Sequence, residues 1–140
     1  MCGLTSIITN SNESKNLKKI LINMNNVISH RGPDSEGYWN SSNGRVFFGH
    51  KRLSIVDLSN NGHQPMHSIN KNFTIIFNGE IYNHLEIRKN YLQSHSFKSH
   101  CDTETLIESV CKLGIMQTLK IIDGMFSFVI FDNQNNKIYL

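Results

Sequence analysis

No apolar run in these 140 residues approaches the roughly 18 that a membrane-spanning helix needs. Nor does the chain start with the basic-then-apolar order of a secretory leader: its first apolar stretch begins at residue 2 and is strand-like. These absences predict an intracellular, cytoplasmic protein. No Cys-x-x-Cys pair occurs, and three cysteines (Cys2, Cys101, Cys111) are an odd number. That excludes a closed disulfide framework and fits reduced thiols. Charge blocks are missing as well. The formal net charge is +3 with both signs interspersed, which argues against a dedicated nucleic-acid surface. "NLKK" and "GHKR" read as solvated or locally paired. No internal repeat or low-complexity linker divides the chain, and its length allows one domain with a real core. Sequons begin at Asn12, Asn40 and Asn72; in so asparagine-rich a chain they are coincidental.

What is present is a patterned α+β sequence. "CGLTSIIT" is β-branched and apolar, a buried strand. After polar "NSNES", the positions Leu17, Ile20, Leu21, Met24, Val27 and Ile28 form one apolar helical face. "SHRGPDSEG" is a loop by its Gly and Pro. "GYW" and "RVFFGHKRLSIV" read as strands, and "DLSNNGHQPMHS" as a long polar loop. "FTIIFNGEIY" is a strand running into a turn at Asn78 and Gly79. Asn83 and Glu86 have capping-box spacing for a helix through about Leu92. Asp102 precedes a second amphipathic helix carrying Thr103, Leu106, Ile107, Val110 and Cys111 on one face. "GMFSFVIF" and "KIYL", joined by "DNQNN", form a terminal hairpin. Strands at both ends with helices between predict a layered α+β fold. Because "KIYL" stops inside a strand, the sequence reads as a fragment of a longer protein.

Candidate chemistry starts at Cys2. Were Met1 removed, its thiol and free α-amine would share one residue, and a terminal amine titrates near 7.7–8.0, close enough to working pH to act as the base. The alternative is a small buried strand residue. Asn78 and the Gly79 N–H are two donors suited to an oxyanion, or else a tight turn. Arg52 can grip a carboxylate with paired hydrogen bonds, or sit in a surface ion pair. Asp102 can hold an ammonium or cap the helix after it, and Glu80 can assist it or be solvated. A Cys–His dyad using His30 or His50 is a rival. His63 and His67 have ligand spacing, but Pro65 between them argues against a helical metal site.

Taken in order, "MCG", "HRGPDSEG", "GHKRLSIVDLSNNGHQPM", "FNGEIYNH", "SHCDTE" and "IDGMFSFVIFD" resemble the class II glutamine amidotransferase domain of glutamine-hydrolysing asparagine synthetases. The resemblance covers essentially residues 1–140. It implies an N-terminal nucleophile hydrolase fold: two facing antiparallel sheets between helical layers (αββα), incomplete at the C-terminus. It further implies Cys2 as the nucleophile on the glutamine side-chain amide, with Asn78 and Gly79 as the oxyanion hole. Arg52 would hold the α-carboxylate, helped by backbone groups of Leu53, Ser54, Ile55 and Val56. Asp102 with Glu80 would hold the α-ammonium. A thioester forms, ammonia leaves, and water releases glutamate.

The implied glutaminase step needs no metal or organic cofactor. The family's "ARDxxGxxPLY" stretch and its synthetase domain with a Ser-Gly-Gly motif are absent from the 140 residues. ATP, Mg²⁺ and conversion of aspartate to asparagine therefore belong to the implied parent enzyme, a ligase. Expected partners are L-glutamine and the parent's synthetase domain, with a homodimer left open and neither nucleic acid nor membrane expected. Two alternatives stand beside this: a related amidotransferase with another ammonia acceptor, and an inactive truncated form of the same fold.

Overall fold

The computed structural model describes residues 2–10, 14–55 and 57–140. The elements run β1 (Gly3–Ile8), α1 (Ser14–Val27), β2 (Ser35–Asn40), β3 (Val46–Arg52), β4 (Met66–His67), β5 (Phe73–Ile81), α2 (His84–Tyr91), α3 (Asp102–Leu113), α4 (Ile115–Ile121), β6 (Gly124–Asp132) and β7 (Lys137–Tyr139). They build two antiparallel sheets, β1-β3-β2 and β4-β5-β6-β7. The alternation of β5 shows why they stack. Ile76 joins Val46, Phe48, Val129 and Phe131 between the sheets, where Trp39 packs on Phe48 and Phe131. Its neighbours Ile75 and Phe77 point the other way, into a core with Ile87, Leu106, Ile107 and Val110 of α2 and α3. Helix α1 lies against β1 and β3. The expected αββα layering is what the chain forms. Among the described residues no helix is long and apolar enough to cross a membrane.

Several local expectations change. In α1 the deeply buried residues are Leu21 and Asn25, while Ile20, Met24 and Val27 are exposed. Asn25 replaces an apolar residue because partners await it: Thr5 Oγ1 donates to its Oδ1, and its Nδ2 donates to the His50 carbonyl. The "SEG" of the expected loop already belongs to β2, with Gly37 opposite His50. Strand β3 stops at Arg52, so Leu53, Ser54 and Ile55 are not strand. The polar loop after it contains a 3₁₀ turn, Asn60–Gly62, and the short β4. No turn occurs at Asn78 and Gly79. Both lie within β5, opposite Ser127 and Phe126, because β6 pairs along its whole length.

The capping box at Asn83 does not form. Asn83 Nδ2 instead donates to the Ile121 carbonyl, and its Oδ1 accepts from the Asp123 N–H, tying α2 to the segment entering β6. Helix α4 has no counterpart in the sequence pattern. Its signal is Gly114, whose φ of 79° closes α3 and lets a new helix start at once.

Candidate active site

Cys2 sits just before β1, half-buried. Its Sγ lies 3.3 Å from the Leu53 nitrogen and 3.7 Å from the Leu53 oxygen. The loop from "HRGPD" holds both partners in place. Arg31 Nε donates to the Cys2 carbonyl at 3.1 Å, the Asp34 N–H donates to the Arg52 carbonyl at 3.1 Å, and Asp34 Oδ2 accepts from the Ser54 N–H at 2.7 Å. Gly32 permits this approach, since a Cβ there would lie 2.4 Å from the Lys51 carbonyl.

Arg52 ends β3 and is buried. Its Nη1 donates to the Ser59 carbonyl at 2.8 Å and its Nη2 to the Asp57 carbonyl. That occupies two of the five N–H donors a guanidinium carries. Gly62 leaves room for the group, as a Cβ would meet Nη2 at 2.4 Å. Asp57 sets this loop from the other side. Its carboxylate accepts from the Ser59 N–H at 2.8 Å and the His100 N–H at 3.0 Å. Hydrogen bonds from Ser59, then from His100, hold the Asp57 carboxyl below the usual carboxylate range.

Along the edge of β5 away from β6, backbone donors alternate. The Phe77 N–H goes to Gln64 Oε1 at 2.6 Å and the Ile81 N–H to Asp102 Oδ2 at 2.9 Å. Period-two alternation puts the Gly79 N–H on this same edge, between them. Gly79 has φ 153°, and a Cβ would lie 2.3 Å from the Met125 carbonyl. Its lack of a side chain thus lets β6 approach, rather than making a turn. Beside it, Asn78 Oδ1 is buried with no hydrogen-bond partner among the described residues. Whichever amide atom occupies that end, the position is open to a ligand.

Asp102 is the first residue of α3, and its carboxylate accepts from the Ile81 N–H of β5. Burial pushes its carboxyl above the ordinary value, and the Ile81 N–H opposes this. Among the described residues no cation is ion-paired with it. A clasp fixes the segment entering α3. Glu104 accepts from the Lys98 and Ser99 N–H groups at 2.9 and 2.8 Å. Arg88 donates to Thr105 Oγ1 and to the Ser99 and Cys101 carbonyls, with its guanidinium 3.8 Å over the Phe97 ring.

The rival histidines stand elsewhere. His50 is fully buried, and its Nε2 bonds the Phe77 carbonyl at 3.1 Å. His30 is exposed in a 3₁₀ turn, Ser29–Arg31. Neither is a hydrogen-bond partner of Cys2, whose sulfur meets Leu53. His63 follows the Asn60–Gly62 turn, whereas His67 lies in β4 with its Nδ1 3.0 Å from Thr74 Oγ1. Among the described residues no group of three His, Cys, Asp or Glu is placed to hold a metal ion.

One cleft of about 290 Å³ joins these parts. It is lined by Cys2, Arg52, residues 53–55, residues 78–80 and Asp102, all of them sequence candidates. Val56, the remaining candidate, lies outside the described residues, as does Met1. The residues that sequence reasoning did not single out are Arg31, Asp34, Asp57 and Gln64. All four sit inside the quoted motifs, where a charged or amide side chain beside a tight loop was the available signal.

An αββα sandwich whose first strand carries a cysteine to such a cleft has the fold of the N-terminal nucleophile hydrolases. The chain belongs to the glutamine amidotransferase domain family, which it matches over residues 1–140. It is 36% identical over 155 residues to a putative glutamine-hydrolysing asparagine synthetase 2 of Methanocaldococcus jannaschii, covering 99% of this chain and 29% of the relative. It is 34% identical to glutamine-hydrolysing asparagine synthetase 1 of Bacillus subtilis, covering 99% and 22%. It is 33% identical to the Arabidopsis thaliana asparagine synthetase 1, covering 97% and 22%. The chain thus spans less than a third of the length of these relatives.

Proposed function

We propose that residues 1–140 are the glutaminase domain of a glutamine-hydrolysing asparagine synthetase, acting in the cytoplasm. The observation that carries this reading is the cleft in which Cys2, Arg52, the Asn78–Gly79 donors and Asp102 meet. Free glutamine is a zwitterion with an amide at its far end. Arg52 retains N–H donors for the α-carboxylate. Asp102, buried and with no ion-paired cation among the described residues, gains a counter-ion when the α-ammonium binds. Leu53, Ser54 and Ile55 supply backbone groups beside the carboxylate, and Glu80 supports the ammonium.

Cys2 Sγ then attacks the side-chain amide carbon, its α-amine taking the proton once Met1 is removed. Negative charge develops on the amide oxygen, where the Asn78 amide and the Gly79 N–H stabilise it; one such donor is typically worth about 10²–10³ in rate. The protonated amine next delivers its proton to the leaving nitrogen, ammonia departs, and water hydrolyses the thioester to glutamate. This step uses no cofactor. ATP and Mg²⁺ would serve the parent's synthetase domain, which would pass the ammonia to activated aspartate.

The test is release of glutamate and ammonia from glutamine by the full-length protein, wild type against Cys2→Ala. Activity should vanish in the variant; retained turnover would sink the assignment. Coupling to ATP and aspartate separates an asparagine synthetase from an amidotransferase with another acceptor.

A further inference from the structure

We infer that Gln64 is a positioning residue that locks the oxyanion strand to the ammonium-binding helix, an inference that rests on the glutaminase reading. Strand β4 ends early: Met66 pairs with Ile75, which places Pro65 and Gln64 across from Ile76 and Phe77 after the ladder has stopped. The Phe77 N–H therefore lacks a strand partner on this edge. The Gln64 side chain replaces that partner, its Oε1 accepting at 2.6 Å. An N–H can only donate, so this contact fixes which way the amide points. Nε2 is left to donate to Thr103 Oγ1 at 3.3 Å.

The two partners are what give the contact its meaning. Phe77 immediately precedes Asn78, and Thr103 immediately follows Asp102. Gln64 is itself buried at 5% exposure and lines the cleft. One amide thus spans the strand that bears the oxyanion donors and the helix that bears the ammonium acceptor. Glutamate would bring a charge into this buried position, and asparagine is one methylene shorter. Losing the Phe77 contact re-aims Asn78 and Gly79, so the chemical step slows. Losing the Thr103 contact shifts Asp102, so ground-state binding weakens.

The experiment measures glutamate release against glutamine concentration for full-length wild type, Gln64→Met, Thr103→Val and Thr103→Ser, with thermal unfolding giving the folded fraction of each. Gln64→Met should lower kcat about tenfold or more and raise KM, as expected when reacting groups lose alignment. Thr103→Val should raise KM about threefold to tenfold with kcat within about twofold, the signature of lost ground-state binding. Thr103→Ser, which keeps the hydroxyl, should behave as wild type. Wild-type kcat and KM in folded Gln64→Met overturn the inference, as do equal losses in the two Thr103 variants. Should Gln64→Met fail to fold, the Thr103 pair decides. No turnover by wild type sinks the glutaminase reading itself, a result distinct from active wild type with unaffected variants.

Discussion

Acidifying the protein from pH 7 to pH 5 should destabilise it through His50. The imidazole is fully buried, and burial lowers its pKa from the ordinary 6.5 to about 4. Its Nε2 must donate, because the partner is the Phe77 carbonyl; Nδ1 is buried without a partner among the described residues. The neutral Nε2–H form meets that need, and a second proton would have no acceptor. Between about pH 6.5 and 4 the unfolded chain therefore binds the proton that the folded chain refuses. Stability is fully present above 6.5 and falls as pH drops through this window.

At 1.36 kcal/mol per pKa unit the whole loss is about 3 kcal/mol, of which about 2 kcal/mol falls between pH 7 and 5. Urea unfolding can be followed by Trp39, the single tryptophan, which sits between the sheets. His67 and His84 are also lowered by burial and add to the slope with the same sign. The informative quantity is consequently the difference from His50→Gln, which keeps an N–H for Phe77 but does not titrate. Wild type should lose about 2 kcal/mol more than His50→Gln over that interval. Parallel curves for the two proteins would refute the assignment of a neutral, buried His50.

Three other outcomes follow from the cleft. Asp102→Asn should raise the glutamine KM about tenfold to a hundredfold, the range of a lost charge-assisted contact, with a smaller change in kcat. Because the Asp102 carboxyl is raised above its ordinary value, the wild-type kcat/KM profile should carry, below the limb set by the Cys2 α-amine, a second acidic limb lying above the range of an ordinary aspartate; its persistence unchanged in Asp102→Asn counts against the assignment. Gly79→Ala forces a Cβ to 2.3 Å from the Met125 carbonyl at φ 153°. It should cost about 1–3 kcal/mol in urea unfolding and abolish glutamine hydrolysis; wild-type stability would show that β6 yields easily.

The sequence by itself determined the class of fold and the residues of the candidate site that line the cleft. Cys2 at the second position, Arg52 in "KRLS", Asn78-Gly79-Glu80 and Asp102 are readable one by one, because each needs only its own side-chain chemistry and a local motif. Alternating Ile75, Ile76 and Phe77 likewise announce a strand buried on both faces. Tertiary structure alone decided how these parts are used. Asn-Gly is a turn dipeptide by local propensity, yet it remains strand because β6, more than forty residues later, supplies a continuous partner. Asn25 enters the core, against the apolar pattern, because Thr5 and the His50 carbonyl are there to satisfy it. Gln64 gained its place only when β4 ended early and left the Phe77 N–H open. Local propensity is a small energy per residue, whereas an unpaired buried backbone group costs a whole hydrogen bond, so the fold settles these positions in favour of pairing.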